Sequence, residues 1–154
     1  MDKEYKQLKK IKCFLIDMDG TIYLGKRLLP GAKDWLALLL EQGLDFFILT
    51  NNSSRSRVEY AQKLNQFGLD VPEEKIFTSG EATAIYLRKS IPGASLYVVG
   101  THPLIRAFER HGFTITDEDP DAVVLGFDTT LTYEKIWKLC DFIVAGKPYI
   151  ATHP

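Results

Sequence analysis

The chain has 154 residues, 45% apolar and 25% charged, which is the makeup of a folded globular protein and not of a disordered one. Its 19 basic and 20 acidic side chains leave a net charge of −1, so no overall basic field invites nucleic acid. The longest apolar runs, such as Leu36 to Leu40, are far shorter than a membrane span. At the start, Lys3, Lys6, Lys9, Lys10 and Lys12 outweigh Asp2 and Glu4 and read as a solvated helix face or tail. They do not form a signal peptide, because the apolar run from Ile11 to Ile16 is short and ends against an Asp. Cys13 and Cys140 sit inside apolar segments and outside any metal spacing. They read as buried free thiols of a reducing compartment, with the cytoplasm as the expected location.

Strand and helix signals alternate along the chain. Lys12 to Asp17 is a continuous apolar run ending in an acid, and Pro30-Gly31 opens a helix over Ala32 to Gln42 that stops at Gly43. Asp45 to Leu49 is a second strand, ending in Thr50-Asn51-Asn52. Ser53 and Ser54 read as cap residues, Ser56 with Glu59 as a capping box for a helix through Phe67, and Arg55 and Arg57 as exposed helix charges. Lys75 to Ser79 is a shorter strand and Gly80 to Lys89 a helix. A second block follows: strand Leu96 to Gly100, helix Pro103 to His111, short strand Phe113 to Thr116, an acidic solvated turn over Asp117 to Asp121, strand Ala122 to Phe127, helix Thr132 to Ala145 and strand Tyr149 to Thr152. Strands apolar throughout and separated by helices predict a parallel sheet covered on both faces, with right-handed crossovers and ligands beyond the carboxyl ends of the strands.

The first such end carries Asp17-Met18-Asp19-Gly20-Thr21. Two carboxylates two residues apart are costly beside a buried strand unless they are used or paired. One reading is a nucleophilic carboxylate, a second carboxyl for proton transfer and a divalent metal, with Gly20 allowing a turn whose N–H groups face an anion. The other is a plain capped turn in which both acids bond local N–H groups. The second strand end offers the Thr50 hydroxyl and the Asn51 N–H as phosphate ligands, though Thr-Asn-Asn alone also suits a turn or N-cap.

Taken together, the two segments resemble the haloacid dehalogenase superfamily of phosphohydrolases. Phe14 to Tyr23, Leu29 to Ala32 and Phe47 to Ser54 look like its NagD-like and nitrophenylphosphatase-like subfamily. Phe77 to Glu81, Val123 to Asp128 and Tyr149 to Pro154 are similar to it as well. The resemblance implies an α/β fold: a Rossmannoid parallel core sheet, here partial, with an inserted α/β cap of the C2 type. It implies that Asp17 is the nucleophile, forming an aspartyl phosphate and giving one oxygen to Mg²⁺. Asp19 would protonate the leaving group, later activate water, and bind the metal through its carbonyl. Gly20, Thr50 and Asn51 would bind the phosphoryl group. The partner implied is a small phosphorylated metabolite, with no nucleic acid and no membrane, and with self-association through the cap.

Two elements of the family pattern do not occur in this sequence: a lysine that screens the reacting charges, and a late Gly-Asp-x-x-x-Thr-Asp motif that completes the metal site. Lys147, in Ala145-Gly146-Lys147-Pro148, looks like the lysine motif in isolation but leads directly into a predicted strand. Asp117, Asp119, Asp121 and Asp128 are wrongly placed for the acidic motif. The expectation is the front part of a longer phosphatase, with residues 1–80 as the first part of the catalytic core, 81–154 as most of the cap, and the rest of the core absent. The short chain would be weakly active or inactive. The alternatives are a non-catalytic fragment binding phosphate or a partner, and a phospho-acceptor signalling domain. The loops Gly126 to Thr129 and Thr152 to Pro154 are candidate substrate contacts, and His102 and His153 are loop histidines at strand ends. His111 sits at a helix end where a cation suits the dipole. No zinc spacing occurs.

Overall fold

A computed structural model describes residues 10–154, which divide into two compact units. Lys3, Lys6 and Lys9 lie outside the described residues. Lys10 and Lys12 are exposed. One unit comprises the chain up to Thr50 together with Tyr60–Phe77. The other comprises Asn51–Glu59 and Thr78–Pro154.

In the first unit, β1 (Cys13–Asp17) pairs in parallel with β4 (Asp45–Thr50), placing Cys13 opposite Asp45 and Asp17 opposite Leu49. β5 (Ile76–Thr78) completes the order β1-β4-β5. Between β1 and β4 lie α1 (Ala32–Glu41) and a small antiparallel hairpin of β2 (Tyr23–Leu24) and β3 (Arg27–Leu28). No such hairpin is expected from the sequence, because two-residue strands are too short to show an alternation. Helix α1 buries Leu36 and Leu39, three apart on one face, against Ile16, Phe46 and Ile48. Each such side chain contributes about 1.5–3 kcal/mol of apolar burial.

β1 departs from the expected strand buried on both faces. Phe14 and Ile16 turn inward, whereas Cys13, Leu15 and Asp17 face outward, and Leu15 is 70% exposed. Cys13 is therefore an exposed free thiol rather than a buried one. Cys140 is exposed and free as well. It follows Leu139, the buried residue of its helix, and one helical step turns it about 100° away from the core.

α2 (Arg57–Gln66) begins with the expected capping box. The Glu59 carboxylate accepts the Ser56 N–H at 2.8 Å, and the Ser56 hydroxyl accepts the Glu59 N–H at 3.2 Å. In the second unit, β6 (Ser95–Val99), β7 (Thr114–Ile115), β8 (Ala122–Leu125) and β9 (Tyr149–Ala151) form a wholly parallel sheet in the order β7-β6-β8-β9. Here the apolar runs do bury both faces. Leu96, Val98 and Val124 pack against α3 (Ser79–Ser90) and α4 (His102–Arg110), while Tyr97, Val99 and Val123 pack against α5 (Tyr133–Val144).

The acidic segment between β7 and β8 is the exposed turn expected from the sequence, and its acids also have partners. Asp117 pairs with Lys138 at 2.6 Å, Asp119 pairs with Lys147 at 2.5 Å, and Asp121 accepts the Ser95 N–H at 2.7 Å. No helix among the described residues is long and apolar enough to cross a membrane.

Candidate functional site

The turn after β1 follows from its burial pattern. Met18, Ile22 and Tyr23 are buried, so alternation places Asp17 and Asp19 outward. The Met18 carbonyl accepts the N–H of Ile22 at 3.0 Å, and the Gly20 N–H donates to the Tyr23 carbonyl at 2.8 Å. Gly20 has φ +86°, a backbone that an L side chain rarely adopts, although open space surrounds its missing Cβ. Its contribution is therefore conformational, since its own N–H is engaged within the turn. The Thr21 hydroxyl donates to the Asp17 carboxylate at 3.3 Å, and the Tyr23 ring beneath the turn is covered by the Lys63 ammonium, 3.7 Å from its centroid.

Thr50 closes β4 one residue beyond the partner of Asp17. Adjacent parallel strands run about 4.8 Å apart, so Asp17 and Thr50 share one edge of the same sheet. Thr50 is buried, and Asn51, which follows it in the chain, is exposed. This edge offers two carboxylates, a hydroxyl and backbone groups, all hard oxygen or N–H chemistry. The oxygens among them fit Mg²⁺, which commonly takes one or two carboxylates and keeps several waters, and the N–H groups suit an anion. Among the described residues, no group of three or more His, Cys, Asp or Glu gathers into a metal cluster.

Ser53 and Ser54 do not cap α2, contrary to the sequence expectation, because Ser56 does so. The Ser54 hydroxyl donates to the Asn52 side chain at 2.6 Å, and Ser53 is 1% exposed with its oxygen accepting the Phe127 N–H at 2.8 Å. Sequence reasoning missed this role. A Ser among hydroxyl neighbours carries no signal of a partner that distant in the chain.

In the second unit, Gly126, Phe127, Asp128, His153 and Pro154 line one groove together with Tyr149, and the Phe127 and His153 rings lie 5.9 Å apart. The Asp128 side chain is 1% exposed. Burial pushes its pKa up, but hydrogen bonds from Lys135 and Thr130 outweigh that and hold it below the ordinary value. Lys147 is engaged with Asp119. His102 is the exposed first residue of α4. His111 closes α4 as expected, and its Nε2 also meets the Glu81 carboxylate at 2.8 Å.

Known proteins sharpen this picture. A 5'-nucleotidase from Bacillus subtilis is 37% identical over 146 residues, covering 95% of this chain and 57% of its own length. An acid sugar phosphatase from Staphylococcus aureus is 36% identical, with 96% and 57% covered. The chain thus spans about 57% of the length of these curated relatives. Among solved structures, a 4-nitrophenylphosphatase from Thermotoga maritima superposes with a TM-score of 0.90 at 47% identity, covering 96% of this chain and 56% of that one. A glycerol phosphate phosphatase from Mycobacterium tuberculosis, solved in complex with calcium, superposes at 0.86 with 30% identity, covering 94% and 43%. These likenesses bear out the expected α/β fold, and the family profile of haloacid dehalogenase-like hydrolases matches residues 14–114. On the strength of that match, the chain belongs to the haloacid dehalogenase-like hydrolases.

Proposed function

We propose that this chain carries the nucleophile side of a phosphatase that hydrolyses a small phosphorylated metabolite through a phosphorylated Asp17. The observation that carries the reading is the placement of Asp17, Asp19 and Thr50 at the carboxyl ends of adjacent parallel strands. The relatives' names, a 5'-nucleotidase, an acid sugar phosphatase and a 4-nitrophenylphosphatase, support the phosphomonoester class.

In the first step an Asp17 carboxylate oxygen bonds to phosphorus as the bond to the leaving oxygen breaks, and Asp19 gives that oxygen its proton. In the second step water attacks phosphorus and its proton passes to Asp19. The bond to Asp17 breaks, and inorganic phosphate leaves with both carboxyl groups restored. The Thr50 hydroxyl and the Asn51 N–H hold phosphoryl oxygens, and Thr21 orients the Asp17 carboxylate. Asp17 and the Asp19 carbonyl would hold Mg²⁺, which would supply positive charge that lets an anionic carboxylate approach an anionic phosphate. The calcium in the glycerol phosphate phosphatase structure supports a divalent ion.

On this reading residues 1–80 serve catalysis, and residues 81–154 form a cap that selects the substrate and offers the surface for self-association. Two exposed free thiols suit a reducing, cytoplasmic setting.

The test is turnover of 4-nitrophenyl phosphate by the chain and by Asp17→Asn, with Mg²⁺ and with chelator. The expected result is weak Mg²⁺-dependent turnover, because the screening lysine and the late acidic motif do not occur in this sequence, and Asp17→Asn should abolish what remains. Undiminished turnover by Asp17→Asn would remove Asp17 as nucleophile. Phosphate binding without turnover would favour a non-catalytic binding role.

A further inference from the structure

Residues 51–54, which continue the chain from Thr50, are held by four element ends of the second unit. The Ser79 hydroxyl, at the start of α3, donates to the Asn51 carbonyl at 2.8 Å. The Thr101 hydroxyl, beyond β6, donates to the Ser54 carbonyl at 2.7 Å. The Phe127 N–H, beyond β8, donates to the Ser53 hydroxyl at 2.8 Å, and the Thr152 hydroxyl, beyond β9, lies 3.0 Å from the same oxygen.

Ser53 is 1% and Thr152 8% exposed, and the Thr152 hydroxyl also lies 3.1 Å from His153 Nδ1, so the pair is held among protein partners. The Ser53 oxygen accepts from Phe127 and shares one further proton with Thr152, a bond that spans 99 residues of sequence. The absence of a side chain at Gly126 leaves room for this node, because a Cβ there would lie 3.2 Å from the Ser53 oxygen. Removing the Thr152 hydroxyl strands a buried donor or acceptor on Ser53, which favours a shift of the loop over an unsatisfied group.

We propose that Ser53 and Thr152 are positioning residues whose buried hydroxyl pair sets the backbone placement of Asn51. The last step of the inference, that this placement matters for a phosphoryl group, rests on the function proposed above. A docking surface or structural cap would not need this pair. The Ser53 side chain satisfies the ends of β8 and β9, and the Ser54 carbonyl accepts from Thr101 beyond β6, so the chain just after the predicted phosphate-binding Asn51 is fixed from several strand ends, which points to control of that residue.

The test uses amide spectra of the ¹⁵N-labelled chain, free and titrated with inorganic phosphate, for wild type, Thr152→Val and Thr152→Ser. Valine keeps the branched shape of threonine with a methyl in place of the hydroxyl, and the dispersion of the amide spectrum reports whether the fold is retained. The expected result is that Thr152→Val moves the amide signals of Asn51, Ser53 and Phe127 and leaves those of Leu96 and Phe108 in place. It should weaken phosphate binding about fivefold, the equivalent of one hydrogen bond, and Thr152→Ser should restore both properties. An Asn51 signal unmoved by Thr152→Val, or one that Thr152→Ser fails to restore, overturns the proposal. If the wild-type Asn51 signal ignores phosphate, the phosphate-binding role of Asn51 fails, and the spectra of the free proteins alone still decide the positioning claim.

Discussion

Leu104 is seated in a socket of three glycines, which gives a sharp prediction for Gly126→Ala. A Cβ on Gly126 would lie 2.2 Å from Leu104 Cδ2, one on Gly100 2.6 Å from the same methyl, and one on Gly80 2.5 Å from Leu104 Cδ1. Leu104 is 2% exposed, so its methyl groups cannot escape into solvent, and rotating one away from Gly126 drives the side chain at the remaining walls. Overpacking of this kind costs about 1–3 kcal/mol. For a chain of this size that lowers Tm by roughly 2–12 °C. Urea unfolding followed by far-UV circular dichroism measures the change. The decisive comparison is the same substitution in a Leu104→Ala background, which itself costs about 2–5 kcal/mol. With the methyl groups gone, Gly126→Ala should cost less, the remainder set by its Cβ 3.2 Å from the Ser53 oxygen, so the two positions should show a measurable coupling. Equal cost in both backgrounds would refute the steric argument.

Two further outcomes follow from polar contacts. The Asp128 carboxyl is held below its ordinary pKa of 3.8, so its stabilising contribution is complete above that value and is lost as pH falls through the lower folded-state pKa. An acid titration of stability should therefore be flatter for Asp128→Asn than for wild type, and Asp128→Asn should be less stable at neutral pH because Lys135 loses its charged partner at 2.7 Å. Ser56→Ala removes the hydroxyl half of the capping box at α2, leaving the Ser56 N–H on the Glu59 carboxylate, and should cost about 0.5–2 kcal/mol in chemical denaturation. A loss within error would mean that water replaces the cap.

Much of the local chemistry was legible in the sequence. The Ser56 and Glu59 box, the helix stop at Gly43, the apolar runs of β6 and β8, and the Asp17 to Thr21 turn each depend on neighbours a few residues apart, and each has the conformation its residues demand. The family, too, could be read there, because its motifs are short contiguous strings at strand ends. What could not be read depends on which face finds a partner. The apolar run of β1 matches that of β6, yet Leu15 is 70% exposed whereas Leu96 is fully buried, because among the described residues helices pack on both faces of the second sheet and on one face of the first. The same reasoning put Cys13 and Cys140 inside when both face out. Long-range polar pairing was equally hidden. Asp117 to Asp121 form the exposed turn expected of them, but their partners Lys138 and Lys147 could not be named from the segment itself, and Ser53, expected as a cap, meets Thr152 only in the folded chain. Sequence determines what each segment prefers and which groups it presents. Tertiary structure decides which of those groups leave water, since desolvation and hydrogen bonding depend on the atoms that arrive from elsewhere in the chain.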